Sequence, residues 1–159
     1  MSRRSISPLY LRIEDIEEFQ ELDSSERNVV TALGAPLRVA STTPALIDRD
    51  AVWAAKRAAL EKIHRVPLRA DRQGALNAFR QGRGQALEDW ATWCAIAERY
   101  GSDYRTWPST IQRPHSAEVA ALRRELAASV EFHVWVQAHS RREAGRATPR
   151  RRDRAPARA

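Results

Sequence analysis

The sequence has a single cysteine, Cys94, so no disulfide can form within the chain, and no Cys/His cluster has zinc spacing. Lysine is nearly missing: only Lys56 and Lys62 stand among 27 basic residues. Apolar runs are short. None approaches the roughly 20 residues of a membrane span, and only scattered apolar residues follow Met1-Ser2-Arg3-Arg4-Ser5, so no secretory core is expected. The 159 residues are too few to close a complete (β/α)8 barrel, which needs roughly 200 to 250. No repeat of 20 to 50 residues is visible, which excludes a solenoid. What remains is a soluble, intracellular chain, 43% hydrophobic and with five tryptophans, able to bury a core.

The net charge of +7 invites a nucleic-acid reading, but most of it lies in one place. Residues 140–159 carry eight arginines against Glu143 and Asp153, a net of +6, which leaves the other 139 residues at +1. That last segment also holds Pro149, Pro156 and no apolar side chain larger than alanine. It is expected to be a disordered Arg-rich tail, and its Arg, Ala and Pro content suggests out-of-frame translation.

Local patterning predicts a mainly α body. Leu9, Leu11 and Ile13 alternate with Tyr10 and Arg12, as in a short strand or extended segment. Residues 14–22 read as a short amphipathic helix and 34–44, with Gly34, Pro36 and Pro44, as a loop. Asp48 or Asp50 caps a helix that Pro67 stops. Asp71 is a plausible cap for the next, which Gly82 and Gly84 weaken or break. Leu87, Trp90, Ala91, Cys94 and Ala97 form a helical stripe ending near Gly101, and Ser116 caps a last long helix. Within that helix, Phe132 to Val136 alternates as a strand would, but continuous phase from Val119 favours helix.

Residues able to carry chemistry are few. Glu88 and Asp89 point about 100° apart on a helix and so do not face one reacting atom. They read as a solvated face, and Asp48 and Asp50 as cap residues. His133 and Gln137 share a helix face but have no third ligand, so no metal and no cofactor are expected. Cys94 lies on an apolar stripe, where a thiol is inert. Gly82-Arg83-Gly84 lacks the preceding strand of a phosphate-binding turn. Trp90, Trp93 and Trp135 suit packing better than base stacking.

Four segments taken together resemble the amylomaltases, the 4-alpha-glucanotransferases of glycoside hydrolase family 77. They are Ser2 to Ile13, with Ser7-Pro8-Leu9-Tyr10 at its centre, and Leu46-Ile47-Asp48 running through Trp53 to Lys56 and Leu60. The third is Ala78-Phe79-Arg80 with Leu87-Glu88-Asp89-Trp90 and Trp107-Pro108, and the fourth is Val130 to Gln137. Ser7 stands where the family has Asn, and Arg49 where it has Tyr. Past Gln137 the likeness stops. The resemblance implies residues 1–139 as part of a glucanotransferase catalytic domain: helical insertions plus an early segment of a (β/α)8 barrel. It implies a cytoplasmic enzyme acting on α-1,4-glucans such as maltodextrins, with no specific nucleic-acid partner and no membrane. Its chemistry is retaining: one carboxylate forms a glycosyl-enzyme intermediate and another serves as acid, then base. Those carboxylates fall beyond the matched segments, so the chain is expected to be inactive alone, with no catalytic residue of its own. Trp53 matches an aromatic at an accessory glucan site; its face suits sugar stacking and equally suits helix packing. The competing reading is a small helical nucleic-acid-binding protein that uses the Arg-rich tail, with strong salt dependence.

Overall fold

The computed structural model describes residues 5–40 and 48–147. Among these there is no strand; the chain is helical throughout, as the mainly α expectation required. Two 3-10 turns, Pro8–Tyr10 and Ile13–Asp15, lead into α1 (Glu17–Glu21), α2 (Ser24–Ala40), α3 (Arg49–His64), α4 (Ala70–Arg83) and α5 (Gln85–Tyr100). Short turns at Tyr104–Thr106 and Ser109–Ile111 then connect to α6 (Ala117–Glu125) and α7 (Ala127–Ala147).

Several caps follow the sequence. Asp48 accepts from the amides of Asp50 and Ala51, and Ser116 accepts from Val119. Gly101, at φ 89°, closes α5, and Gly84, at φ 57°, is the joint between α4 and α5; both need the left-handed freedom that only glycine has cheaply. Gly82, by contrast, is carried inside α4. Asp71 is not a cap: Arg69 holds the N-cap position, and Asp71 pairs with it at 3.4 Å from the first turn.

The N-terminal segment departs from the strand reading. Leu11 is buried between exposed Tyr10 and Arg12, so the alternation is real, but no strand lies alongside to accept its hydrogen bonds. The backbone closes on itself instead, with Leu11 N–H donating to Pro8 and Ile16 N–H to Ile13. The loop expected from Gly34 is also absent up to residue 40: α2 runs through Pro36. An interior proline costs roughly 3 kcal/mol, which packing of Val30 and Leu33 into the core with α3 helps offset. Residues 41–44 of that loop lie outside the described residues.

The predicted last helix divides at Leu126 into α6 and α7. Helix α7 is the hub, contacting α3, α4, α5, α6 and the first 3-10 turn. Phe132, Trp135 and Val136 join Leu11, Ile16, Phe19, Leu60 and Ile63 in one core cluster. Val130 and Val134 join Leu87, Ala91 and Ala95 in a second, and Ile96, Trp107, Ile111 and Val119 form a third. Phe132 to Val136 are buried on every side of this turn of α7, so their apolar residues lack a single helical face and imitate a strand.

The tail expectation also needs correction. Residues 140–147 continue α7, and Ser140 is buried. Glu143 accepts from the Arg12 amide at 2.8 Å, and Arg142 lies 3.9 Å from Glu17. Composition counts apolar surface, whereas these residues are held by polar links to the N-terminal turns. Residues 148–159, the rest of the expected tail, lie outside the described residues.

Candidate functional site

Helix crossings bring together acids that are far apart in sequence from the arginines that hold them. Glu88, near the start of α5, receives Arg80 from α4 (Nη2 to Oε2, 3.0 Å) and Arg123 from α6. Arg80 also reaches Glu131 on α7 at 2.7 Å. Glu18 is 2% exposed; its Oε1 accepts from Arg72 at 3.1 Å, and its Oε2 lies 3.4 Å from His139. Glu98 meets His133 at 2.8 Å, Ser129 at 2.8 Å and Arg57 at 2.7 Å. Each of these carboxylates is therefore neutralised by a cation. A hydrolytic or transfer site instead requires two carboxyls facing a substrate.

The remaining candidates resolve in the same direction. Asp89 accepts from Gln85 at 2.7 Å and is apart from the Glu88 cluster. Gln137 makes no common site with His133. Its amide clamps the backbone of Ile6, accepting at 2.8 Å and donating at 3.1 Å. Burial pushes the Cys94 thiol up to about 12, with Glu98 adding to the shift, so it is no nucleophile. Trp90 meets the His133 ring edge-on, and Trp135 packs on Phe132, His64 and His139. Among the described residues no group of three His, Cys, Asp or Glu could hold a metal, and no helix is long and apolar enough to cross a membrane.

His64, Glu88 and Glu98 all contribute to the acid response, the Glu98 carboxyl being held below its usual value against burial by His133, Ser129 and Arg57. Burial pushes the His64 imidazole down, with Glu131 opposing. The Arg80 hydrogen bond holds the Glu88 carboxyl below its usual value against burial, and Arg123 reinforces it. Below the ordinary histidine value of 6.5, the unfolded chain takes up the His64 proton more readily, so stability falls. The Glu88 contribution is complete above 4.5 and is lost as pH drops through the lowered folded value. Thermal midpoints are expected to decline in two steps, below 6.5 and again below 4.5. Glu88→Gln should shrink the second step, with Glu98 retaining its own part of it, at a cost of about 1–3 kcal/mol at neutral pH. Equal midpoints at pH 7 and pH 3.5 would contradict this assignment.

A groove of about 440 Å³ runs between the first 3-10 turns, α2 and α3. Tyr10, 78% exposed, Arg12, Glu14, Thr31 and Lys56 supply its polar and aromatic lining. Lys56 donates to the Leu9 carbonyl and so ties the turn to α3; burial lowers its pKa, opposed by Glu143 and Glu14. Trp53 lies on α3 next to the lining residue Val52 and one turn before Lys56. It is half-buried against the first core and does not itself line the groove. Tyr10 and Lys56 were within the sequence segments that carried the resemblance, yet only folding places them on opposite walls of one cleft.

Comparison with known proteins shows what this chain is similar to. A family model described as 4-alpha-glucanotransferase matches residues 1–154. The chain is 46% identical over 136 residues to 4-alpha-glucanotransferases of Mycobacterium bovis and Mycobacterium tuberculosis. Those alignments cover 86% of this chain and 18% of each relative. The crystal structure of amylomaltase from Corynebacterium glutamicum superposes with a TM-score of 0.70 at 30% identity, over 89% of this chain and 18% of that one.

Proposed function

The chain belongs to the 4-alpha-glucanotransferase family, and from that premise we propose that it is the helical part of an enzyme that moves α-1,4-glucan segments between glucans. The observation that carries this reading is the 46% identity to the mycobacterial transferases, sustained over 136 residues. The work is proposed to take place in the cytoplasm on maltodextrins, by retaining transfer through a glycosyl-enzyme intermediate. No residue of this chain is assigned the nucleophile or the acid/base role, because Glu18, Glu88 and Glu98 are each held by an arginine.

The part this chain plays is to position glucan. Trp53 is proposed as its substrate contact, with the half-exposed indole face taking the C–H face of a glucosyl unit beside the Tyr10–Lys56 groove. The nucleic-acid alternative receives no support in the described body, where Arg57, Arg72, Arg80, Arg99, Arg105 and Arg123 are engaged by carboxylates. Trp53→Ala is expected to weaken maltoheptaose binding at least fivefold in calorimetry and to leave the far-UV spectrum unchanged. Unaltered affinity would remove Trp53 from the site.

A further inference from the structure

We propose that the groove enclosed by α5, the 101–116 connector and α6 is a second glucan-contact site, seating a glucosyl unit on Trp93 and Tyr104. The inference rests on the glucanotransferase reading and concerns a face built from α5 and α6, with no lining residue in common with the Tyr10–Lys56 groove. Its volume is about 550 Å³, within the roughly 300–1,000 Å³ of small-ligand sites.

The walls combine what a sugar needs. Trp93 is half-buried against the third core cluster, and Tyr104 is 53% exposed, so both rings are open to the groove they line. Trp107 backs Trp93, with ring centroids 6.0 Å apart, and is itself fixed by donation of its indole N–H to Gly101 at 2.7 Å. Gln112 Nε2 donates to the Trp107 carbonyl at 2.7 Å, so the aromatic platform is formed before any ligand arrives. Around it stand the polar side chains of Asp89, Gln112, His115 and Arg124. Thr92, also in the lining, is 4% exposed, and its hydroxyl has no hydrogen-bond partner.

The charge pattern selects a neutral ligand. Arg123 is neutralised by Glu88, which leaves one acid, Asp89, and one arginine, Arg124, in the lining. A phosphate or other anion would need converging, uncommitted cations. A glucosyl unit needs an aromatic face for its C–H side and dispersed donors and acceptors for its hydroxyls, and those are present. A second contact on a long glucan also raises the effective concentration of the chain end at the first.

The test is titration of the 159-residue chain with maltoheptaose, following the indole N–H resonances of the five tryptophans. Trp93→Phe assigns one resonance and Trp53→Phe another. The Trp93 resonance is expected to move on titration, and Tyr104→Ala, at an exposed position, to weaken that response at least fivefold. A static Trp93 resonance beside a moving Trp53 resonance would overturn this site and leave the glucan reading standing. Movement of neither would overturn both. A Trp93 response indifferent to Tyr104→Ala would also overturn the seat described here.

Discussion

Incubated with maltotriose, the 159-residue chain on its own is expected to release no glucose above a protein-free control. Retaining transfer needs a nucleophilic carboxylate and an acid/base carboxyl about 5–5.5 Å apart across the scissile bond. Among the described residues Glu18 and Glu88 are the buried acids, and arginine holds each of them, as Arg57 holds Glu98. Loss of a nucleophile in a transfer enzyme costs on the order of 10⁶ in rate, which puts residual turnover below detection. The same residues should nevertheless support catalysis in context. Grafted in place of the matching 136 residues of a mycobacterial relative, this chain is expected to give an active transferase. Glucose release by the isolated chain that scales with its concentration and disappears in Glu88→Gln would refute the assignment.

Trp135→Ala is expected to produce the largest loss of stability of any single substitution. Trp135 is 2% exposed and sits where α7 meets α3, with its ring 5.2 Å from His64, 6.4 Å from Phe132 and 4.5 Å from His139. Truncation of a buried tryptophan costs about 3–5 kcal/mol through lost transfer energy and the cavity left behind. Against a typical total of about 5–15 kcal/mol that is a large share, equivalent to roughly 6–20 °C in thermal midpoint for a chain of this size. Trp135→Phe should cost much less, since it keeps most of the packing and removes an indole N–H that has no partner. A midpoint for Trp135→Ala within 2 °C of the parent would show that α7 is not the hub of the core. So would an alanine variant no less stable than the phenylalanine one.

Among the described residues, the exposed large hydrophobics are Tyr10, Val29, Tyr100 and Tyr104, and the other large apolar side chains are buried or half-buried. Three core clusters threaded by α7 and α5 account for that. Cooperative unfolding is the corresponding expectation.

What the sequence determined by itself was local or textual. The caps Asp48 and Ser116 and the stop at Gly101 depend on contacts within about four residues, so their positions are written in the order of side chains. The single Cys94 excluded a disulfide, and the four family-like segments identified the family before any fold was known. Tertiary structure decided the rest. It turned the Leu9–Ile13 alternation into 3-10 turns, because an edge without a partner strand has no ladder to join. It kept α2 helical through Pro36, where packing against α3 helps offset the broken hydrogen bond. It carried α7 to Ala147, because Arg12 and Glu143, 131 residues apart, meet at 2.8 Å. It also set Trp93 beside Trp107 and brought Tyr104 to the same groove, positions that no helical period relates. Period and composition report what a segment can do with its near neighbours; these outcomes depended on which distant group the fold brought within hydrogen-bonding or van der Waals reach.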